Sequence, residues 1–425
     1  MSRLIIHGGR PLSGSFTPTG NKNAALPMLA ACVLTDQPVV LRNVPDIKDV
    51  QVMCALLAAL GVTVTRRGRT VTLDASGLQT TRLPSDLCGQ VRGSILLAGP
   101  LTARHGQAEL APPGGDVIGR RRIDTHFAGL RELGLAIHAG TRTFRLRRKR
   151  LRGAPVLLDE ASVTATENLM MAAVLAPGRT TLFNAACEPH VHDLGRLLIK
   201  MGAHIEGLGT NRLLIRGVKG LRGATHRLQP DHVELGSFAA AAIATGGRLR
   251  INVGGIAPET LQVTGRPFTK LGVRWQARRG ILTVGPSELA VCSDLGQAIP
   301  KIEDGPWPAI PSDLMSVAIV LATQAKGTML FFEKMFESRM YFVDALISMG
   351  ARIVQCDPHR VVVSGPGMLR GTHLATPDIR AGMALLVAAC CARGKSVIEN
   401  AEMIDRGYEA IETRLQSLGA DIQRA

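Results

Sequence analysis

The chain has 425 residues, more than one hydrophobic core usually supports, so about two or three domains are expected. Hydrophobic residues make up 46% and charged residues 20%, a balance that excludes a disordered or fibrous chain. The net charge of +16 favours anionic partners. Only 3% of residues are aromatic, too few for the stacking platforms that bind single-stranded nucleic acid, so we expect no nucleic-acid partner.

The distribution of apolar residues and cysteines excludes two more classes. The N-terminus lacks the apolar segment of a secretory signal, and apolar runs such as 24–34 and 383–392 fall short of the about 20 residues that a membrane-spanning helix needs. We therefore expect no membrane insertion and a cytoplasmic location with reduced thiols. No C-x-x-C pair occurs, and the spacing of Cys187, His190, His192 and Asp193 fits no zinc pattern, so no metal is predicted.

One pattern recurs six times along the chain. Each copy begins with a helix that is apolar on almost every side, which is typical of a buried helix. The six segments are, in chain order, 23–34, 92–101, 166–175, 234–243, 313–322 and 380–389. A β-branched strand follows, as at 180–184, 327–332 and 395–400.

The second half of each copy is an amphipathic helix that ends at a glycine, followed by another strand. The helix pattern at 408–419 and the strands at 351–355 and 420–423 are examples. Glycine after the last periodic residue is a helix stop signal. The six such glycines are Gly61, Gly134, Gly202, Gly272, Gly350 and Gly419.

A single copy cannot bury its own apolar helix. Three copies could, with their helices at the centre and their sheets outside, so six copies predict two domains of the α/β class. Each domain would contain three βαβαββ-like repeats.

Polar residues interrupt the apolar helices at their N-terminal ends, which would converge in a three-helix cluster. They are Lys22, Asn23, Arg92, Glu167, Asn168, Asp231, Glu234, Asp313, Asp378 and Arg380. Capping alone could explain Asp313 and Asp378. It does not explain Lys22, Arg92 and Arg380, because cations oppose the helix dipole; these residues and the free N–H groups predict a phosphate or carboxylate site.

Loops carry a second polar set. The segment 112–124 places Asp116 after two glycines and before Arg120, Arg121 and Arg122, which suggests a mobile loop with a carboxylate beside cations or, alternatively, a solvated basic turn. Arg339 and Arg406 lie in two further loops. The basic run 145–152 is interpreted as a solvated hairpin.

Eight motifs in order resemble the UDP-N-acetylglucosamine enolpyruvyl transferases, relatives of 5-enolpyruvylshikimate 3-phosphate synthase. They are TGNKNAALP (19–27), PGG (113–115), SVTATEN (162–168), NAACEP (184–189), SDL (312–314), FESR (336–339), DIRAG (378–382) and IDRGYE (404–409). The resemblance covers essentially the whole chain. It implies two inside-out α/β barrel domains, the first spanning residues 22–229 and the second spanning 1–21 plus 230–425.

The resemblance also implies an activity and residue roles. The enolpyruvyl group of phosphoenolpyruvate would move to the 3′-hydroxyl of UDP-N-acetylglucosamine, the first committed step of peptidoglycan synthesis, without a cofactor or metal. The residues implied to bind phosphoenolpyruvate are Lys22, Asn23, Arg92, Arg121 and Arg406. The residues implied at the nucleotide sugar are Asn23, Arg92, Arg121, Asp124, Ser162, Asp313, Met335 and Arg339, with Asp378 and Arg380 in support. Asp313 would be the base, and Lys22 and Asp116 would also act in catalysis.

Four positions depart from the family pattern. Asp116 stands where many members have Cys, so we expect resistance to fosfomycin, an epoxide that alkylates the thiolate. Arg120–Arg122 replaces one arginine followed by proline, so Arg121 is chosen by ungapped register. Glu160 replaces a common lysine and Ser338 a common asparagine. Glu160 keeps open an enolpyruvyl transferase acting on another nucleotide, and a non-catalytic regulatory homologue and a nucleic-acid-binding protein are two further hypotheses.

Overall fold

The computed structural model describes residues 2–286 and 288–425, which fold into two compact modules. The first module contains Gly20–Asp116 and Arg122–Gln229. The second contains the N-terminal residues up to Thr19, Val117–Arg121 and Pro230–Ala425. The short segment Val117–Arg121 therefore packs with the second module although its flanking residues belong to the first.

The strands are short and lie at the outside of each module. In chain order they are β1 Leu4–His7, β2 Gly14–Phe16, β3 Val39–Arg42, β4 Thr63–Arg67, β5 Thr70–Asp74, β6 Gln107–Leu110, β7 Leu135–Ala139, β8 Phe144–Arg148, β9 Pro155–Leu157, β10 Arg179–Phe183, β11 His204–Glu206, β12 Arg212–Arg216, β13 Thr225–Arg227, β14 Leu249–Asn252, β15 Ala277–Arg278, β16 Ile281–Val284, β17 Lys301–Glu303, β18 Gly327–Phe332, β19 Ile353–Gln355, β20 Arg360–Gly365, β21 His373–Ala375, β22 Lys395–Glu399 and β23 Asp421–Arg424.

The helices alternate between buried and half-exposed positions. In chain order they are α1 Lys22–Ala31, α2 Lys48–Ala59, α3 Ser85–Cys88, α4 Ala98–His105, α5 Asp124–Glu132, α6 Val163–Ala173, α7 Pro189–Lys200, α8 His232–Ala244, α9 Pro258–Lys270, α10 Met315–Gln324, α11 Val343–Ser348, α12 Ile379–Cys391 and α13 Ile411–Gln416. Five 3₁₀ segments accompany them: Cys32–Leu34, Arg92–Leu97, Leu295–Gln297, Ser312–Leu314 and Ala401–Arg406.

The six predicted apolar helices are the buried ones, α1, α4, α6, α8, α10 and α12. They contact one another in two groups of three, one group in each module. The second and fifth begin before their α-helical part, as the 3₁₀ segments Arg92–Leu97 (6 residues) and Ser312–Leu314 (3 residues). The predicted grouping of the repeats in threes is confirmed.

The sheets repeat one pairing plan. Their strand orders are β13-β3-β5-β4, β6-β8-β7, β9-β10-β12-β11, β2-β14-β16-β15, β17-β18-β20-β19 and β21-β22-β1-β23. In the five four-stranded sheets the first strand in this order runs parallel to the second, and the remaining neighbours are antiparallel. The N-terminal strand β1 takes the third place in the last sheet, so the two ends of the chain complete one repeat.

All six helix-stop glycines have the left-handed backbone that the repeat predicts. Their φ angles are +96, +91, +106, +81, +100 and +101° for Gly61, Gly134, Gly202, Gly272, Gly350 and Gly419. Residues other than glycine rarely adopt this conformation, because a Cβ atom crowds the following carbonyl. The glycines therefore end the half-exposed helices and turn the chain into the next strand.

Two of these glycines provide a matched test. Gly202→Ala adds a Cβ in open space, so it introduces only backbone strain. The free energy of unfolding should fall by about 1–2 kcal/mol. Gly134→Ala places the Cβ 1.9 Å from the Arg150 carbonyl oxygen, so the loss should be larger by ~2 kcal/mol. Denaturant unfolding of both variants measures the difference. Equal losses would contradict the proposed close approach at Gly134.

Candidate active site

In the second module, three helix starts carry three aspartates with different tasks. Asp231 caps α8 by accepting hydrogen bonds from the N–H groups of Val233 (2.8 Å) and Glu234 (3.1 Å). Asp378 caps α12 in the same way. Asp313 lies in the 3₁₀ turn before α10, where no side chain caps the helix. Capping therefore explains Asp378 but not Asp313.

Asp313 forms ion pairs with two arginines. Arg380 Nη2 lies 2.8 Å from Asp313 Oδ2, and Arg339 Nη2 lies 3.3 Å from Asp313 Oδ1. The side chains of Arg380 and Arg339 are 7% and 3% exposed, whereas that of Asp313 is 25% exposed. Each oxygen of the carboxylate is thus oriented by one arginine, while a quarter of the side chain stays exposed, as a general base that must reach a substrate requires.

Arg380 is a buried cation at the start of a helix, where both burial and the helix dipole oppose its charge. Burial acts to lower the pKa of Arg380, but Asp313, and after it Tyr408 and Asp231, raise it well above the ordinary value. Its Nη1 also donates to the Tyr408 hydroxyl at 3.2 Å. That hydroxyl lies 2.8 Å from Ser237 Oγ in α8, so Tyr408 links two of the three central helices.

Arg339 has a second carboxylate neighbour and an aromatic one. Its Nη1 lies 3.7 Å from Asp378 Oδ1, and its guanidinium carbon lies 5.2 Å from the centre of the Phe336 ring. The structure therefore brings four residues from separate segments into one cluster: Asp313, Arg339, Asp378 and Arg380.

The first module shows a different arrangement at the start of α1. Lys22 Nζ lies 2.9 Å from Asp49 Oδ2, and the two side chains are only 10% and 6% exposed. Asn21 caps the helix by accepting from the Ala24 N–H at 3.0 Å. The anion expected near Lys22 is thus partly supplied by the protein itself. Asp49 was missed from sequence because it looks like an ordinary first-turn acid of α2.

The turn that carries Arg92 is held by buried polar groups of the first module. Asn168 donates to the Ile95 carbonyl at 2.8 Å and accepts from the Gly99 N–H at 2.7 Å. The Asn168 side chain also contacts His126 Nδ1 at 3.1 Å. Burial, and after it the charge of Arg92, lowers the pKa of His126 to about 3, so the ring is neutral at physiological pH.

The glycine-rich loop packs closely against this turn. A Cβ atom on Gly114 would lie 1.7 Å from the Gly89 carbonyl oxygen, and one on Gly115 would lie 3.0 Å from Arg92 Cβ. These approaches place the backbone that precedes Asp116 directly beside Arg92. Asp116 itself is half-buried.

Beyond Asp116 the chain packs with the second module. The Ser338 N–H donates to the Ile118 carbonyl at 3.1 Å, and the Arg120 N–H donates to Glu337 Oε2 at 3.3 Å. Arg121 is half-buried and has a left-handed backbone with φ +33°, which is unusual for a side chain of this size.

The other predicted site residues lie outside the Asp313 cluster. Asp124 forms an exposed ion pair with Arg122 at 2.6 Å, and Met335 is 40% exposed. Ser162 caps α6 through the Ala165 N–H. Asn23 and Arg406 are half-buried, Asn23 in α1 and Arg406 at the end of the 3₁₀ segment Ala401–Arg406.

Three further sequence expectations concern the rest of the chain. The basic run begins in β8, where Arg145, Arg147 and Arg148 are exposed, so the solvated hairpin is confirmed. Across residues 2–286 and 288–425, no group of three His, Cys, Asp or Glu residues could hold a metal ion. Among the helices in those same ranges, none is long and apolar enough to cross a membrane.

The neutral buried imidazole of His126 predicts how stability depends on pH. An unfolded histidine binds its proton near pH ~6.5. Because folding lowers the pKa of His126 to about 3, the unfolded state takes up the extra proton between these values. The free energy of unfolding should therefore fall as pH drops through this window.

The His126→Gln variant should show a smaller slope of unfolding free energy against pH between ~6.5 and 3. His138→Gln is the matched control, because His138 is exposed in the same module. Urea unfolding across the window measures both slopes, and an unchanged slope in His126→Gln would contradict the assignment.

Comparison with known proteins gives one consistent family. The model of the EPSP synthase (3-phosphoshikimate 1-carboxyvinyltransferase) family matches residues 6–415. The chain is 51% identical to the UDP-N-acetylglucosamine 1-carboxyvinyltransferase of Treponema denticola, covering 100% of this chain and 99% of that protein. It is 52% identical to the enzyme of the same name from Bradyrhizobium diazoefficiens, covering 99% and 98%.

Solved structures agree on the fold. The enolpyruvyl transferase NikO from Streptomyces tendae superposes with a TM-score of 0.89 at 27% identity, covering 100% of this chain and 99% of that one. EPSP synthase from Acinetobacter baumannii superposes with a TM-score of 0.75 at 17% identity over the full length of both chains, which supports the fold alone. The fold is that of two inside-out α/β barrels, with three repeats and central helices in each. The chain is an enolpyruvyl transferase of the EPSP synthase family and belongs, within it, to the UDP-N-acetylglucosamine 1-carboxyvinyltransferases.

Proposed function

We propose that the chain transfers the enolpyruvyl group of phosphoenolpyruvate to the 3′-hydroxyl of UDP-N-acetylglucosamine and releases phosphate. The observation that carries the proposal is Asp313, a partly open carboxylate held by Arg380 and Arg339. Full-length identity of 51–52% to relatives named for this reaction supports it. The reaction is the first committed step of peptidoglycan synthesis, and the proposed location is the cytoplasm.

Phosphoenolpyruvate carries about three negative charges, so its site needs several cations. Lys22, Arg92, Arg121 and Arg406 are assigned to its phosphate and carboxylate, with Asn23 beside them. The buried Lys22–Asp49 pair supports this assignment for Lys22, because it fixes the ammonium group at the start of α1.

The acceptor hydroxyl needs a base within hydrogen-bond reach, and Asp313 is assigned that role. The acceptor oxygen bonds to C2 of phosphoenolpyruvate while its proton passes to Asp313. The methylene carbon receives a proton, which gives a tetrahedral ketal that still carries phosphate. Loss of a proton from the new methyl group and departure of phosphate then give the enol ether.

Asp116 and Lys22 are assigned to proton transfer and charge stabilisation in this sequence. The backbone that precedes Asp116 packs against Arg92, which supports a role for Asp116 beside a cation assigned to the substrate. Asp124, Ser162, Met335 and Arg339 are assigned to the nucleotide sugar, with Asp378 and Arg380 holding Asp313. The two modules are assigned as the two catalytic domains of the enzyme. The segment Val117–Arg121 is assigned to the second.

The competing functions gain no support. The relatives that match at about half identity carry the name of this activity, which disfavours another nucleotide acceptor. The presence of the Asp313 cluster disfavours a non-catalytic regulatory homologue.

Phosphate release tests the reaction directly. Purified protein should release phosphate only when phosphoenolpyruvate and UDP-N-acetylglucosamine are both present. Asp313→Ala should lower kcat by about 10²–10⁴-fold, because the general base is lost. Asp294→Ala, a change at an exposed ion pair with Lys270 that has no assigned role in the site, should have a much smaller effect. Release without the nucleotide sugar, or full activity of Asp313→Ala, would contradict the assignment.

Asp116 predicts the response to fosfomycin. The epoxide alkylates a thiolate, and a carboxylate is a poorer nucleophile for it, so the chain should keep its activity in excess inhibitor. Asp116→Cys should become sensitive and should gain the mass of one inhibitor molecule. Cys88→Ser in the same background is the control, because Cys88 is buried and its burial raises the pKa of its thiol. Inactivation of the unmodified chain at equimolar dose would refute the prediction.

A further inference from the structure

A buried carboxyl pair lies behind the Asp313 cluster. Glu333 follows strand β18, Asp304 follows strand β17, and both residues are 0% exposed. The two strands are parallel neighbours, with Glu303 opposite Phe332 in register, so the carboxyl groups leave the same end of one sheet. The reaction mechanism described above does not use either residue.

Glu333 organises two segments at once. Its carboxylate accepts hydrogen bonds from the N–H groups of Met335 (3.2 Å) and Phe336 (3.1 Å), which shape the segment leading to Arg339. It also accepts from the Ser312 hydroxyl at 2.8 and 3.0 Å. Ser312 directly precedes Asp313, so one carboxyl group sets the position of the segments that carry both partners of an ion pair.

Asp304 completes the pair. Its Oδ1 accepts from the Lys334 N–H at 2.5 Å. Its Oδ2 is buried and, within residues 2–286 and 288–425, has no N–H or hydroxyl donor. Because Asp304 and Glu333 follow neighbouring parallel strands, a proton on Glu333 would give this buried oxygen a donor.

The charges around Glu333 agree with that proton. Burial, and after it the hydrogen bond and charge of Asp304, raises the pKa of Glu333 to about 9, although Arg339 and Ser312 act in the opposite direction. His359 faces the same segment through its ring, with Nδ1 2.7 Å from the Glu333 carbonyl oxygen. At neutral pH, Glu333 is therefore protonated, while its Oε1 still accepts from the two backbone N–H groups.

We propose that Glu333 and Asp304 are positioning residues for the acceptor base, because they hold Ser312 and the segment 333–339 so that Arg339 meets Asp313. The inference rests on the proposed function and extends it to two residues that touch no substrate. Without the pair, Ser312 and the N–H groups of Met335 and Phe336 lose their acceptor, and the Arg339–Asp313 contact at 3.3 Å loses its support.

Three variants separate positioning from general stability. Glu333→Gln keeps a donor for Asp304 and an oxygen for the Met335 and Phe336 N–H groups, so it reproduces the protonated side chain. Glu333→Ala removes both. Glu303→Gln is the matched control, because Glu303 precedes Asp304 but its side chain is 36% exposed and pairs with lysines at the surface.

The experiment combines hydrogen exchange with phosphate-release kinetics on the full chain, using phosphoenolpyruvate and UDP-N-acetylglucosamine. Glu333→Ala should exchange faster in the peptide covering 333–339, and its kcat should fall by about 10–100-fold, the usual cost of a misplaced reacting group. Its KM for phosphoenolpyruvate should change by less than about threefold, since the phosphate-binding cations are untouched. Glu333→Gln and Glu303→Gln should stay close to the parent in all three measurements.

A pH profile adds a readout that loss of stability would not move. If Arg339 leaves Asp313, the base binds its proton more tightly, so the acidic limb of kcat against pH should move to higher pH in Glu333→Ala but not in Glu333→Gln.

The outcomes separate the two proposals. Unchanged exchange at 333–339 in Glu333→Ala, or faster exchange with unchanged kcat and pH profile, would overturn the positioning role. Equal losses in Glu333→Gln and Glu333→Ala would overturn it as well, because a protonated side chain should be replaceable by an amide. If the parent chain released no phosphate, the proposed function would fall, whereas a normal parent with unaffected variants would overturn only this inference.

Discussion

Burial of six helices that are apolar on nearly every side is the constraint on which the structure depends. No single repeat can cover such a helix, so three pack together in each module and their sheets remain outside. A helix buried along its length can carry charge only at its ends. At the N-terminal end, the backbone N–H groups that have no partner within the helix bind anions. The polar residues of the candidate site are therefore a consequence of the core.

The two modules use the same scaffold with opposite local charge. At the helix starts of the second module, the aspartates Asp231, Asp313 and Asp378 outnumber the arginines Arg339 and Arg380. In the first module, Lys22 is balanced in part by Asp49. Burial keeps His126 neutral and raises the pKa of Glu167 well above its ordinary value. The cluster around Asp313 in the second module favours a base, and the cations Lys22 and Arg92 in the first module favour a bound anion.

The sequence predicted the structural features that depend on residues close together in the chain. The glycines at φ near +100°, the buried helices and the Asp378 cap follow from periodicity and stop signals within a few residues. Partnerships across the chain could not be predicted in this way: Arg380 meets Asp313 across 67 residues, and Glu333 meets Ser312 across 21. Asp49, Tyr408, Asp304 and Glu333 were missed because each looks locally like an ordinary helix or strand-end residue.

The two guanidiniums beside Asp313 raise a question of chemistry, since a carboxylate held by two cations is a weak base. A partly buried carboxylate without them would favour its protonated form, which cannot take the proton of the acceptor hydroxyl. The acceptor hydroxyl, in turn, becomes strongly acidic only as its oxygen bonds to carbon, so a weak base suffices if it is ionised and correctly placed at that moment. The arginines therefore contribute by keeping Asp313 charged and oriented, which makes geometry, rather than base strength, the quantity that the surrounding residues must control.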